Sequence, residues 1–179
     1  MIRTKVLGLD DTPHRIAWGV ALGFIIAFTP TLGFQIIFYV VMAALLRANK
    51  VSGIPWLFIS NPLTAVPLYY GTWWVGNMAL SGGAKDAAGG RAAIQHMIDA
   101  TTAAGSVWEG LLSADYWKQI GQLVVDLGYE LWFGGLIVGV LLGAVMYPLA
   151  YRGVIAYRAR VTARKERRRA ALAERRADA

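Results

Sequence analysis

Three stretches of the chain contain no charged residue, and they determine the elements that the sequence predicts. They cover residues 16–46, 51–84 and 131–151. Each is longer than the roughly 18 apolar residues that mark a candidate membrane-spanning helix. The pattern therefore predicts an all-α, polytopic membrane protein, with a membrane domain over 1–151 and a polar tail over 152–179.

The first stretch is interrupted at its centre by Pro30 and Gly33. Proline lacks the backbone N–H that a helix needs, and glycine permits a turn. On either side lie about 13 apolar residues, or about 20 Å of helix, which is too short to cross a hydrocarbon core of about 30 Å. We therefore expect residues 16–46 to form a re-entrant helical hairpin. A single long, kinked span is the alternative.

The second stretch is also interrupted, by Asn61, Pro62 and Pro67, and its helical pattern resumes at Leu68. These residues predict a broken span over 53–80, or else a second hairpin. Irregular backbone at membrane depth must be sheltered by protein or by water, because lipid offers no hydrogen bonds. We therefore expect the two interrupted segments to pack against each other.

The third stretch, 131–151, predicts an uninterrupted span, and its length matches the hydrocarbon core. Gly135, Gly139 and Gly143 recur at every fourth position. This spacing clears one helix face for close packing against another helix, either within the chain or between protomers. Pro148 lies near the end of the stretch, so we expect it to kink the helix there without breaking the span.

The segment between the second and third stretches, 85–130, is longer and more polar. Apolar residues recur at helical spacing from Ile94 to Leu112 and again from Trp117 to Leu127. The spacing predicts two amphipathic helices that lie on the bilayer or cap the bundle. The segment has few Lys and Arg residues, which favours an extracytoplasmic position.

Charge is concentrated at the C-terminus. The net charge is +7, and residues 152–179 contain ten Lys or Arg residues against three acids. Lys and Arg collect on the cytoplasmic side of membrane proteins, so both termini are expected in the cytoplasm, as are Arg47 and Lys50. The tail is predicted to be a cytosolic helix. Its arginines nearest the span, Arg152, Arg158 and Arg160, would bind anionic lipid head groups, and no nucleic acid partner is expected.

The sequence shows no catalytic or cofactor-binding signature. It has no cysteine, only two histidines and no phosphate-binding glycine loop, so we expect neither an enzyme nor a metal site. The Gly19–Gly23 spacing is typical of small-residue helix packing. Thr12 is predicted to cap a helix that begins at Pro13, because Ser and Thr are favoured caps and Pro is favoured at the first helical position.

Polar side chains within the apolar stretches collect at the two interruptions. Each costs free energy in hydrocarbon unless it is hydrogen-bonded. Broken membrane helices often form solute sites, so one interpretation is a path for a small solute or a lipid head group, with Gln35 and Asn61 at its floor. The other is that these side chains only satisfy backbone groups freed by Pro30 and Pro62. The residues concerned are Thr29, Thr31, Gln35, Ser60, Asn61 and Thr64.

Transport along such a path is the first functional expectation. A non-transporting, homo-oligomeric membrane scaffold or accessory subunit is the alternative. A polar cavity reaching both interruptions would favour transport, whereas a packed centre would favour the scaffold.

The N-terminal part resembles a known prokaryotic family, catalogued as domain of unknown function 2062. The resemblance covers about 13–77 and implies an integral, helical membrane protein, without supplying an activity. We expect the protein in the cytoplasmic membrane of a prokaryote. The resemblance is found in four places, which are PHRIAWGVALG at 13–23, the Pro30 and Gly33-Phe34-Gln35 turn, Arg47-Ala48-Asn49, and Ser60-Asn61-Pro62-Leu63-Thr64 followed by Pro67, Tyr69 and Tyr70.

Overall fold

A computed structural model describes residues 11–31, 34–86, 88, 90–92, 94–95 and 128–177. This part of the chain is helical and contains no strand, which confirms the all-α part of the predicted fold class. The helices with defined bounds are α1 (Pro13–Phe28), α2 (Gln35–Leu45), α3 (Ile54–Leu57), α4 (Pro62–Ser81) and α5 (Gly128–Ala177). Residues 90–92 and 94–95 are also helical. Most of the two amphipathic helices predicted between 85 and 130 lie outside the described residues.

Helices α1 and α2 are separated at the predicted interruption. Helix α1 begins as expected, with Pro13 in its first turn and the Thr12 hydroxyl accepting a hydrogen bond from the Arg15 N–H at 3.3 Å. It ends at Phe28, ahead of Pro30. Two hydrogen bonds join the residues that follow α2 to the start of α1. Arg15 Nε donates to the Arg47 carbonyl at 2.7 Å, and the Asn49 N–H donates to the Arg15 carbonyl at 2.9 Å. Helix α2 therefore returns the chain to the end at which α1 began.

The segment that includes α3 then packs along α1 with almost no space between the two backbones. A Cβ built on Gly23 would lie 2.6 Å from the Gly53 carbonyl oxygen, and one on Gly19 would lie 2.5 Å from the Asn49 carbonyl oxygen. No side chain fits at such distances. The small-residue packing expected of Gly19 and Gly23 is therefore directed at the chain's own α3 segment.

Helix α4 begins at Pro62 and continues through Pro67, so the expectation that Pro67 interrupts the helix is wrong. Proline inside a helix removes one backbone hydrogen bond. Here the flanking residues Ala65 and Tyr69 are completely buried, together with Leu131 of α5, and this packing holds the helix across Pro67. The interruption in the second stretch lies at Ser60 and Asn61, between α3 and α4.

Helix α5 is a single 50-residue helix that continues through Pro148, so the proline does not end it. It runs antiparallel to α1. Gly135, Gly139 and Gly143 of α5 lie against Phe28, Ile25 and Ala21 of α1, in that order. The glycine face was predicted to pack either within the chain or between protomers, and in the structure it packs against α1 of the same chain.

Among the described residues, α5 contains the one stretch that is long and apolar enough to cross a membrane. Only 22% of its most apolar 18-residue window is buried against the rest of the chain. Helices α1 and α2 are apolar but have just 16 and 11 residues. The span predicted over 53–80 corresponds to α3 and α4, and neither meets the same criterion, since α3 is short and α4 is rich in Tyr, Trp, Thr and Pro.

Candidate functional site

The polar residues of the first interruption bond to the end of α1. The Thr29 hydroxyl donates to the Ile26 carbonyl at 2.8 Å, and the Thr31 hydroxyl donates to the same carbonyl at 3.4 Å. Both threonines are buried. Pro30 has no N–H to donate to the Ile26 carbonyl, and this carbonyl accepts instead from the Thr29 N–H at 3.1 Å and from the two hydroxyls.

The polar residues of the second interruption cap α4. Asn61 Oδ1 accepts from the Thr64 N–H at 3.1 Å, and the Thr64 hydroxyl accepts from the Asn61 N–H at 3.2 Å. This reciprocal pair, three residues apart, has the geometry of a capping box. Asn61 Nδ2 also donates to the Phe58 carbonyl at 3.2 Å, and the Thr64 hydroxyl is bonded to the Ile59 carbonyl. Both side chains therefore satisfy backbone groups at the start of α4.

Gln35 connects the two interruptions. It is the first residue of α2, and its Nε2 donates to the Leu57 carbonyl at 3.1 Å, at the end of α3. The Ser60 hydroxyl lies 3.0 Å from both Gln35 Oε1 and the Leu57 carbonyl. The structure thus brings Gln35 to Ser60, the neighbour of Asn61. A polar floor shared by Gln35 and Asn61 themselves stays a prediction.

Two fully buried tyrosines also bond to the chain's backbone, and a hydrogen-bonding role was predicted for neither. The Tyr69 hydroxyl donates to the Thr29 carbonyl at 3.2 Å and so links α4 to the first interruption. The Tyr39 hydroxyl donates to the Asn49 carbonyl at 2.6 Å and accepts from the Gly53 N–H at 2.9 Å. A buried tyrosine needs a partner for its hydroxyl, so tyrosines within apolar stretches were the available signal.

A second group of polar residues lies at the other end of α1. Arg15 Nη1 pairs with Asp11 Oδ1 at 2.9 Å, and Arg158 of α5 donates to the Asp11 carbonyl. His14 Nδ1 lies 2.5 Å from the Tyr147 hydroxyl. The predicted lipid-binding residues are thus at this end of the bundle. Arg152 and Arg160 are exposed on α5, and Arg158 is partly buried against the segment before α1.

The opposite end of α5 has a separate ion pair. Lys85 Nζ lies 2.7 Å from Glu130 Oε1, and Ser81 donates to the same oxygen at 3.2 Å. Asn77 Nδ2 donates to the Lys85 carbonyl at 3.2 Å. These bonds join the end of α4 to the first turn of α5, so both ends of the 85–130 segment are fixed at one place.

The chemistry available at the two interruptions is neutral hydrogen bonding by hydroxyl and amide groups. Within the described residues no three His, Asp or Glu side chains lie close enough together to hold a metal ion. The two ion pairs found among the described residues, Asp11–Arg15 and Lys85–Glu130, lie at the ends of the bundle.

Comparison with known proteins identifies the family. No curated protein and no solved structure matches the chain. One family model matches residues 2–163, which extends the resemblance well beyond 13–77 and brings the 85–130 segment, the apolar part of α5 and the start of the tail into it. The chain therefore belongs to the bacterial family described as uncharacterized protein conserved in bacteria (DUF2062).

Proposed function

We propose that the chain is an integral protein of the bacterial cytoplasmic membrane. Support comes from the part of the α5 surface that the rest of the chain leaves uncovered. Large apolar side chains are exposed there over several turns, and a water-soluble monomer rarely exposes so large an apolar patch. Lipid would cover them. The exposed residues include Leu136, Val140, Leu141, Val145 and Leu149.

The proposed topology is a re-entrant hairpin of α1 and α2, an outward crossing by α4 and an inward crossing by α5. Its support is the distribution of charge along the bundle. Arg15, Arg47 and Arg158 come together at one end through their bonds to each other and to Asp11. Since Lys and Arg favour the cytoplasmic side, this end would face the cytoplasm and the Lys85–Glu130 end the exterior.

Cysteine labelling tests this topology directly, because the native chain has no cysteine. Single cysteines near Lys5, Lys50 and Arg164 should react with an impermeant thiol reagent only after cells are opened. One near Asp99 should react in intact cells. Labelling of the Lys5 and Lys50 positions from opposite sides would show that α1 and α2 form one kinked span, and the hairpin would be excluded.

For the role of the protein in the membrane, we propose a non-transporting scaffold or accessory subunit. One observation supports this choice over transport. The polar side chains at both interruptions hydrogen-bond to the chain's own backbone or to one another, as do the hydroxyls of Tyr39 and Tyr69. These groups would have to break their hydrogen bonds within the protein before they could bind a polar solute. Assembly into a homo-oligomer stays a prediction.

Reconstituted vesicles provide the test. Vesicles that contain the purified protein should exchange a fluorescent-head-group phospholipid between leaflets no faster than protein-free vesicles, as measured by dithionite bleaching. They should also swell in glycerol at the protein-free rate. The Ser60→Ala variant should be less stable and leave both rates unchanged. Faster exchange or swelling that Ser60→Ala or Gln35→Leu abolishes, with the fold retained, would instead establish the transport function.

A further inference from the structure

A groove of about 750 Å³ opens between α1 and α5. Trp18, Ala21 and Ile25 line it along α1, and Val140, Ala144 and Tyr147 line it along α5. Gly143 lies against Ala21 at its floor, so the two helix backbones approach closely and the groove stays shallow and continuous. Its volume is within the range of small-molecule sites, about 300–1,000 Å³.

The polarity of the groove changes along its length. Ile25 and Val140 make one end apolar. At the other end the His14 and Tyr147 side chains are hydrogen-bonded, and the Trp18 and Tyr147 rings contact edge to face with centroids 6.2 Å apart. Aromatic side chains with one polar atom are typical of the level at which acyl chains meet head groups. The gradient matches a molecule with an apolar chain and a polar head.

Positive charge adjoins the polar end. Arg15 follows His14 in α1 and pairs with Asp11, and Arg158 of α5 donates to the Asp11 carbonyl. The Arg15 side chain is 46% exposed even while paired with Asp11. A guanidinium has five donors in a planar fork, so the bonds from Arg15 to Asp11 and to the Arg47 carbonyl leave donors that suit a phosphate. A head group bound at this end would therefore favour negative charge.

From these observations we propose that the groove is a binding site for one anionic phospholipid, with an acyl chain between Ile25 and Val140 and the phosphate beside His14 and Arg15. The proposal rests on the membrane placement and topology proposed above, which put this end at the cytoplasmic leaflet, where anionic lipids are abundant. A second copy of the chain is a poorer occupant. A parallel neighbour would bring its own arginines to the same level, and like charges repel.

Blocking the groove tests the proposal. Ala144 is exposed on the groove wall, so the Ala144→Trp variant fills the groove without entering the packed core. Val145 is the matched control, because it is adjacent, 58% exposed and not part of the lining. Full-length protein is stripped of lipid in detergent and titrated with dioleoylphosphatidylglycerol or dioleoylphosphatidylcholine, and native mass spectrometry counts the bound lipids.

We expect one phosphatidylglycerol to bind tightly, with phosphatidylcholine at least about tenfold weaker, because its phosphate is the same but its quaternary ammonium would lie close to Arg15. The Ala144→Trp variant should weaken phosphatidylglycerol binding by a similar factor, and Val145→Trp should match the native protein. Equal binding by the two Trp variants, or equal affinity for both lipids, would overturn the proposal. So would a change of oligomer mass in Ala144→Trp with lipid binding unchanged, which would assign the groove to a second copy.

Membrane extraction separates the failure of this site from failure of the proposed function. If the protein stays in membranes washed with alkaline carbonate and the Trp variants bind lipid equally, the groove proposal alone is wrong. Release by carbonate would contradict the membrane placement itself, and the lipid site with it.

Discussion

The Gly139→Leu variant should melt far below the native protein. A Cβ at this position would lie 2.9 Å from both the Cα and the carbonyl oxygen of Ile25, and backbone atoms cannot move aside as a flexible side chain can. Overpacking a close contact costs about 1–3 kcal/mol, and a clash with backbone favours the upper end of that range or beyond. Thermal melting of the purified protein in detergent measures the effect.

Gly153→Leu is the matched control for this experiment. Gly153 is in the same helix, and a Cβ built on it meets nothing within 4 Å. Both variants gain the roughly 1 kcal/mol of helix propensity by which leucine exceeds glycine, so the difference between them isolates the packing between α1 and α5. An unchanged melting temperature for Gly139→Leu, accompanied by dissociation of an oligomer, would place the glycine face between protomers.

Removal of a single oxygen atom from Tyr39 should have the second large effect. In Tyr39→Phe the ring remains in place, but the Gly53 N–H and the Asn49 carbonyl lose the hydroxyl that bonds them at 2.9 and 2.6 Å. A buried polar group left without a partner costs about 1–3 kcal/mol, so we expect a loss of at least about 2 kcal/mol. Denaturation in detergent with increasing urea measures the loss.

The control for this variant is Tyr157→Phe. Tyr157 is 61% exposed on α5, where water or lipid head groups can replace whatever its hydroxyl bonds, so its stability should stay within about 0.5 kcal/mol of the native value. Equal stability of the two variants would mean that the Gly53 and Asn49 groups find other partners, and that the link between α2 and the α3 segment does not depend on Tyr39.

The parts of the fold that the sequence predicted are those that covalent geometry dictates locally. Thr12 caps the start of α1, and the helix ends just before Pro30. Both effects act within one helical turn, because the Thr12 hydroxyl bonds to nearby backbone and the Pro30 ring fixes a backbone angle. The spacing of the three glycines of α5 also predicted a close helix contact, since it exposes backbone along one helix face. The spacing did not predict whether that face packs against the same chain or against another copy.

The parts that could not be predicted depend on contacts between residues far apart in the chain. Pro67 has the same ring as Pro30, yet the helix continues through it, because burial of Ala65 and Tyr69 against α5 outweighs one missing hydrogen bond. The partners of Gln35 are 22 and 25 residues away, and those of Tyr69 are 40 away. A pattern within one stretch identifies a polar residue that needs a partner but not which group supplies it.

The unbroken length of α5 limits how far its positive charge can act on a lipid surface. In the proposed topology the span ends at Tyr151. A rise of about 1.5 Å per residue would then put Arg158 and Arg160 about 10–14 Å beyond the surface, and Arg167, Arg168 and Arg169 about 25 Å beyond it. The screening length in physiological salt is about 8 Å. Electrostatic attraction to the membrane therefore falls away within the first few turns, and the distal arginines interact with the surrounding salt solution.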